Sequence, residues 1–266
     1  MREEKHMKIG LWKKGLVFGI ILLFVGAGVI PSFGGTVVER NSNHSISNGN
    51  TLYVGGSGPG NYTRIQDAID NASNRDIVFV YNGTYYEYID VTKSINLIGE
   101  NKETTIIDGG GSGDVVNVTA NNVKICELTI QNSGDEWRDA GIRICSNRNI
   151  IKGNNIKNNN NGIYLHDSKF NIIKGNIISN NDDGLILRDN RYIVIIKNNF
   201  LDNKQDAFFY NSFLTLWWRN YWNESRILPK LMHGEIIMSS GVLFSPTIRI
   251  KWFNIDFRPA LRPYKL

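Results

Sequence analysis

The stretch NIIKGNNIKNNNNGIYL, residues 149–165, is followed 22 residues later by NIIKGNIISNNDDGLIL, residues 171–187. Both copies place isoleucine or leucine at matching positions, with asparagine and glycine between them. Short apolar runs separated by Gly, Asn and Asp are typical of β-strands joined by turns. A period near 22 residues suits one turn of a parallel β-helix, in which each residue lies above its counterpart in the preceding turn. The repeat therefore predicts an all-β solenoid of about seven coils, which we assign to residues 51–211.

Aligned on Gly141, Gly162, Gly184 and Ala207, the copies form columns of like residues. The apolar columns, which we expect to form the core, are Ile130, Ile156, Ile178 and Leu201, and Ile142, Ile163, Leu185 and Phe208. The asparagine columns are Asn154, Asn176 and Asn199, and Asn132, Asn158, Asn180 and Asn203. Stacked amides can donate and accept hydrogen bonds along the axis, which predicts asparagine ladders. The alternative, mainly for the second set, is that asparagine simply favours turns.

The N-terminal segment differs from the rest of the chain. In residues 1–35, lysines precede an apolar run from Gly15 to Phe33, and small residues follow it. This is the build of a secretory signal peptide, although the run is also long enough to serve as an uncleaved membrane anchor. Both alternatives predict an extracellular or cell-surface protein. Residues 36–50 are polar and aperiodic, which is typical of a linker.

The charge of the chain argues against a nucleic-acid partner. The formal net charge is +5, but residues 1–35 hold five Lys or Arg and two Glu, which leaves 25 basic and 23 acidic residues. A nearly neutral remainder has little general attraction for phosphate backbones.

Both ends of a solenoid expose strand edges that must be covered. Apolar residues at helical spacing predict a helix over residues 64–73, begun by a capping box of Thr63 and Gln66, at the first end. We expect residues 212–266, which break the repeat, to form a tryptophan-rich cap that lies across the last coil at the second end. A sugar-stacking platform is the alternative for the aromatic residues of this segment, which are Trp217, Trp218, Trp222 and Trp252.

The two cysteines, Cys126 and Cys145, are predicted to be buried thiols rather than a disulfide. Stacking of the coils puts Cys126 nearest to Lys152, well beyond Cys145 along the chain. Zinc is disfavoured because the sequence has no Cys-x-x-Cys motif and no nearby histidine pair.

The sequence resembles a known group of proteins. The helix followed by GTYYEYIDVTKSINLIGENKETTIIDG, and the repeated NIIKGNNI and NGIYL units, are similar to right-handed parallel β-helix proteins of the pectin-lyase-like superfamily. The similarity is greatest to the NosD-like or carbohydrate-binding-and-sugar-hydrolysis group of PbH1-repeat proteins, of the exported archaeal type. The similarity covers residues 51–266 and implies a right-handed coil. It indicates little about activity, because proteins that share a fold can have different functions.

One face of the predicted coil could bind a polysaccharide or cell-envelope glycan. Its outward column is predicted to be Arg143, Tyr164, Ile186 and Phe209, with acidic and amide side chains in the rows beside it. Sugar rings would stack on tyrosine, and uronate carboxylates would pair with arginine. The predicted ligand-binding residues are Arg143, Tyr164, His166, Asp182, Asp183 and Arg188.

Catalysis on this face is an alternative hypothesis, and a purely structural surface spacer is another. Asp183 and Asp206, one coil apart, could form the carboxylate pair of a glycoside hydrolase, with Asp182 beside them. The NNDDG segment resembles the aspartate pair of polygalacturonase-type hydrolases, but their histidine-containing and Arg-x-Lys segments are missing. Asp-Asp-Gly is also an ordinary turn. A lyase would need calcium, held by Asp182 and Asp183, and a base such as Arg143 or Arg188.

No metal site and no cofactor are predicted, although calcium is possible. The NosD-like resemblance raises copper, which needs several converging soft ligands. Beyond residues 1–35 the histidines are His44, His166 and His233, far apart in the sequence, and only His233 has a methionine, Met232, beside it. Copper is therefore the least favoured of the alternatives.

Overall fold

The structure is a computed structural model that describes residues 49–238 and 248–266. The predicted signal peptide or anchor and nearly all of the predicted linker lie outside these residues. Among the described residues, no helix has the length and apolar character needed to cross a bilayer.

The chain forms a single-stranded right-handed parallel β-helix of about eight turns with three faces. The first face consists of β1 (Thr51–Val54), β2 (Ile77–Val80), β5 (Asn96–Gly99), β8 (Lys124–Cys126), β11 (Ile150–Lys152), β14 (Ile172–Lys174), β17 (Val194–Ile196) and β20 (Leu216–Trp218). The second face consists of β3 (Gly83–Tyr86), β6 (Thr105–Asp108), β9 (Thr129–Gln131), β12 (Asn155–Lys157), β15 (Ile177–Ser179), β18 (Asn199–Leu201) and β21 (Tyr221–Trp222). The third face consists of β4 (Ile89–Val91), β7 (Val116–Val118), β10 (Ala140–Ile144), β13 (Asn161–His166), β16 (Asp183–Arg188) and β19 (Gln205–Tyr210).

The strand register confirms the predicted stacking for the central coils and corrects it for the coil after them. Ile130, Ile156 and Ile178 lie in one column, but its next member is Phe200 and not Leu201. In the other predicted core column, Ala207 takes the place expected for Phe208. The predicted spacing of 23 residues for this coil is wrong, because β16 and β19 pair at a spacing of 22.

Close stacking also explains the glycines at the head of the repeat. A Cβ atom on Gly162 would lie 2.6 Å from the carbonyl oxygen of Gly184, and one on Gly184 would lie 2.5 Å from that of Asp206. Both distances are too short for a carbon atom beside a backbone oxygen. Glycine is therefore needed at these two positions, where a side chain would overlap the backbone of the next coil.

Asparagine ladders run through the inside of the turns. The first ladder contains Asn154, Asn176, Asn198 and Asn220, each fully buried, with side-chain amides donating to the next oxygen at 3.0–3.1 Å. Each of the first three also donates its backbone N–H to the next side-chain oxygen. Asn199, the predicted third member, lies one residue past the ladder. Pairing along the column satisfies buried amides that would otherwise be costly.

The second predicted ladder is shifted by one residue. The ladder consists of Asn159, Asn181 and Asn203, with amide bonds of 3.1 and 3.0 Å. The other three predicted members, Asn132, Asn158 and Asn180, have φ angles of 54–59° and occupy left-handed turn positions. For these three the turn interpretation is the correct one, because asparagine tolerates this conformation.

The predicted helix covers the first end of the coil. It is α1 (Ile65–Asn71), and its apolar side, Ile65, Ala68 and Ile69, is fully buried. The predicted capping box is wrong, since the N-cap makes no side-chain hydrogen bond. The carboxylate of Glu87 instead accepts the backbone N–H groups of Ile65 at 2.9 Å and Gln66 at 3.1 Å.

The second end is closed by a hairpin rather than by tryptophans lying across the coil. The hairpin strands β22 (Lys230–Met238) and β23 (Ile248–Asp256) are antiparallel and join the third face to the first. Trp217 and Trp222 lie inside the last coil, in the columns of Ile195 and Phe200, and are each 1% exposed. The repeat thus continues past residue 211.

Both cysteines are free, as predicted. Cys126 is buried and pairs in register with Lys152, also as predicted. Cys145 is exposed, so its predicted burial is wrong.

Candidate functional site

Two outward columns run along the third face. The column predicted to bind ligand contains Arg143, Tyr164, Ile186 and Phe208. Phe209, the predicted last member, points into the core and is 1% exposed, because the coil is one residue shorter than expected. The register places His166, Arg188 and Tyr210 in the second column, and Cys145 follows directly after the preceding strand.

In the first column, neighbouring side chains cover Tyr164, and an ion pair neutralises the charge of Arg143. The guanidinium of Arg143 forms an ion pair with Asp114 and lies 5.1 Å from the ring centre of Tyr164. Tyr164 is only 3% exposed and packs with Ala140 and Ile186. The expected stacking of a sugar on Tyr164 is therefore blocked in this conformation.

The aromatic ring that does face solvent belongs to Trp137, which the sequence did not single out. Trp137 is 60% exposed, and two guanidinium groups lie near its ring centre, that of Arg138 at 4.1 Å and that of Arg188 at 5.9 Å. The sequence signal that could have revealed the segment with Trp137 is a longer coil. Lys124 pairs with Ile150 at a spacing of 26 residues, whereas the following spacings are 22.

The extra residues form a loop, residues 134–139, over the third face. The side-chain amide of Asn160 donates to the carbonyl oxygens of Asp135 and Glu136, each at 2.7 Å. That of Asn161 donates to the carbonyl oxygen of Trp137 at 3.2 Å. Two side chains of the next coil therefore hold the loop that carries the exposed ring.

The strand register does not pair the two carboxylates of the predicted catalytic pair directly with each other. Asp183 pairs in register with Gln205, and the Asp206 carboxylate binds the Lys230 ammonium at 3.2 Å. Asp182 binds Lys204 at 2.6 Å. Burial raises the pKa of the Asp183 carboxyl, and the negative charge of Asp182 raises it further, although Lys204 lowers it.

The remaining predicted residues lie on the same face. The ring of His166 is 6.4 Å from that of Tyr164, and the Arg188 guanidinium is 3.5 Å from the Asp189 carboxylate. Burial also raises the pKa of the Tyr210 hydroxyl beside them, with a further contribution from Glu235. The fold thus places Arg143, Tyr164, His166, Asp183 and Arg188 on one face, with Asp182 at its edge, and Asp206 is paired with Lys230.

Residues 69–230, more than half of the chain, match the protein family described as "Periplasmic copper-binding protein (NosD)". The chain belongs to the NosD family. No curated protein sequence matches this NosD-family chain.

Several solved structures resemble this NosD-family protein in their fold. ORF18 of Geobacillus virus E2 is 18% identical with a TM-score of 0.42, covering 59% of this chain and 38% of the viral chain. The pectin methylesterase from carrot is 13% identical with a TM-score of 0.39, covering 70% and 73% of the two chains. The rice weevil pectin methyl esterase is 13% identical with a TM-score of 0.42, covering 68% and 72%.

The donor groups that the structure describes in this NosD-family protein form no cluster that fits the copper in the family's description. Within residues 49–238 and 248–266, no three His, Cys, Asp or Glu side chains come together as a metal site. Met232 is 2% exposed and the adjacent His233 is exposed, since neighbouring residues of a strand point to opposite sides. These two side chains cannot converge on one ion, and His44 lies outside the described residues.

Proposed function

We propose that this protein binds an acidic polysaccharide of the cell envelope across its third face, as a binding protein and not as an enzyme. The observation that carries the proposal is Trp137, whose ring is 60% exposed and has two guanidinium groups within 6 Å of its centre. An aromatic face stacks on a sugar ring, and arginine binds carboxylates in a planar, bidentate manner. Uronic acids combine these two features.

The charges near Trp137 support an acidic ligand. Arg143 is already neutralised by Asp114, so its guanidinium contributes little free charge. In the described part of the chain, Arg138 has no carboxylate within salt-bridge distance, and Arg188 has only the partly exposed Asp189 at 3.5 Å. Arg138 and Arg188 are therefore the groups available to a uronate.

The same face continues towards the N-terminal coils with groups that suit sugar hydroxyls. The amide of Asn117 donates to the Asp90 carboxylate at 2.9 Å, and both lie in the outward column that leads to Arg143. Tyr88 next to them is 54% exposed. Because each coil advances about 4.8 Å along the axis, an extended chain could contact several coils at once.

Affinity electrophoresis in gels containing polygalacturonate or alginate tests the proposal, with neutral dextran for comparison. We expect retardation by the acidic polymers, which Trp137→Ala and Arg188→Ala each weaken about tenfold. Trp252→Ala is the matched control, because Trp252 is 43% exposed but lies on the C-terminal hairpin. Equal retardation of Trp137→Ala and the parent protein would reject the site. Absence of retardation in every gel would favour the spacer hypothesis.

The enzymatic alternative has one supporting observation, the raised pKa of Asp183 on this face. A protonated carboxyl could act as a general acid towards a glycosidic oxygen. Assays for reducing ends and for unsaturated uronates on the same polymers distinguish this alternative from binding. Product that disappears in Asp183→Asn would replace our proposal with hydrolysis or lysis.

A cell-envelope ligand requires export, which we propose from the lysines and apolar run of residues 1–35. Fractionation of expressing cells, followed by N-terminal sequencing, tests this step. A mature protein beginning after residue 35 would indicate a cleaved signal, and an intact chain in the membrane fraction would indicate an anchor. Full-length protein in the cytosol would contradict export.

A further inference from the structure

The first face of the coil presents an apolar stripe to solvent. Its outward column contains Ile150, Ile172, Val194 and Leu216 in consecutive coils. Ile150 is 37% exposed and Leu216 is 40% exposed, while the two residues between them are half-buried by their neighbours. A run of aligned aliphatic side chains on the outside of a solenoid has no role in its core.

Aromatic residues widen the stripe at the corner between the third and first faces. Phe170 is 48% exposed and Tyr192 is 40% exposed, and their rings stack in parallel with centres 5.0 Å apart. Phe213, in the following coil, is 39% exposed. The guanidinium of Arg148 continues the stack over Phe170 at 5.8 Å.

These corner residues adopt a conformation that does not favour them. Phe170, Tyr192 and Leu214 have φ angles of 60°, 58° and 56°, in the left-handed region. A residue with a bulky side chain costs about 1 kcal/mol there, whereas Asn122, at the matching corner of an earlier coil, suits the same conformation. The fold alone therefore gives no reason for large apolar side chains at these three turns.

Basic residues border the stripe on both sides. On the first face, or at its corner with the second face, the basic residues are Lys124, Lys152, Lys174, Lys197 and Arg219. At the aromatic corner they are Arg148, Lys169 and Arg191. In the coils from Lys124 to Arg219, the acidic residues at the two corners are Glu127, Asp167 and Asp189. The first face is thus strongly basic, although the chain beyond residue 35 is almost neutral.

We propose that this face docks onto a bilayer surface that contains anionic lipids. Exposed aliphatic and aromatic side chains enter the headgroup boundary, and bordering lysines and arginines bind anionic headgroups. A second copy of the chain is a poorer partner, because two-fold packing of this face would bring its basic borders against each other. A soluble polyanion would match the charge but would leave the isoleucine, leucine and phenylalanine side chains without a partner.

The docking face is separate from the proposed glycan site. Trp137 and its two arginines lie on the third face, so a coil that rests on a membrane through its first face keeps that site open to the outside. The two proposals can therefore fail independently.

A local fluorescent probe in the full-length chain tests the proposal. An environment-sensitive dye is attached through Ile172→Cys on the first face, or through Lys157→Cys on the second face, both in the Cys145→Ser background that removes the exposed thiol. With mixed phosphatidylcholine and phosphatidylglycerol vesicles, we expect the emission at position 172 to shift to the blue and to rise about twofold, with no change at position 157. Attachment to vesicles through another segment, such as residues 1–35, would not distinguish the two positions in this way.

Charge variants separate lipid docking from self-association and from binding of a soluble polyanion. Arg148→Glu with Arg191→Glu should abolish the response at position 172, while Lys157→Glu, the matched change on the second face, should leave it intact. Circular dichroism confirms that each variant is folded. The proposal is overturned by an equal response at both positions, by no response at 172, by a response that depends on protein concentration without vesicles, or by a response to polygalacturonate but not to vesicles.

Discussion

The carboxylate of Asp256 accepts hydrogen bonds from both the backbone N–H of Asn220, at 2.9 Å, and its side-chain amide, at 3.1 Å. Asn220 is the last asparagine of the first ladder, and Asp256 is fully buried at the end of the C-terminal hairpin. The indole N–H of Trp222 donates to the same carboxylate at 3.2 Å. One carboxylate of the cap thus satisfies the donors that a further coil would otherwise satisfy.

Replacing Asp256 with alanine should destabilise the protein by about 3 kcal/mol, because the buried backbone N–H of Asn220 and indole N–H of Trp222 lose their acceptor. Urea unfolding measures the change. Asp135→Ala is the matched control, since this exposed aspartate contributes only its backbone carbonyl to the structure described. Equal stability of the two variants would contradict a terminating role for Asp256.

The ladder predicts a difference between two neighbouring asparagines. Asn176→Ala removes the acceptor of two hydrogen bonds from Asn154 and a donor to the Ile151 carbonyl, all buried, so we expect a loss of about 3 kcal/mol. Asn180→Ala affects only an exposed left-handed turn and should cost about 1 kcal/mol. Urea unfolding midpoints in the reverse order would show that the amides do not stabilise the coil.

Capping of α1 by Glu87 predicts which residue the helix depends on. Glu87→Ala should lower the unfolding free energy by about 1 kcal/mol, because two N–H groups at the helix start lose their acceptor. Thr63→Ala should have almost no effect, since no side-chain cap is formed by the predicted capping box. Thermal unfolding of both variants measures the comparison. A larger loss of unfolding free energy in the Thr63 variant would contradict capping by Glu87 and support the capping box.

The raised pKa of Asp183 predicts a pH-dependent stability difference. The folded state holds this proton more tightly than the unfolded state, so the contribution is present below the unfolded pKa of about 3.9 and is lost as the pH rises through the folded pKa. Asp183→Asn, which stays neutral, should therefore be more stable than the parent protein at neutral pH, and the difference should disappear in acid. Melting temperatures across this range measure it, with Asp135→Asn as the control. A difference that does not change with pH would contradict the raised pKa.

The sequence predicted the kind of fold, but not the strand register of the coil that follows the two nearly identical copies. The copies that begin at Asn149 and Asn171 are almost identical, so their alignment leaves no choice and predicts Asn154 over Asn176 correctly. In the next coil the sequence has diverged, and Asn198 and Asn199 both match an asparagine column. Only the paired strands decide between them, because a slip of one residue would turn the core side of each strand outwards.

The sequence predicted which face of the coil holds the candidate site, but not which side chains of that face are free and exposed. Residue spacing alone places Arg143, Tyr164 and Arg188 on one side of the coil. It cannot tell that Asp114 neutralises Arg143, or that Tyr164 is covered by its neighbours, because these facts depend on side chains from other coils and on a loop. Trp137 was missed for the same reason, since it lies in a segment outside the repeat.

By itself the sequence determined that the chain coils, with what period, and which residue types stack in the central turns, because a repeated pattern carries its own geometry. The tertiary structure alone decided how the ends are closed, which of two adjacent residues enters each column, and which side chains reach solvent. Those outcomes depend on contacts between segments far apart in the chain, such as Asp256 with Asn220 and Glu87 with Ile65, and no local pattern specifies them.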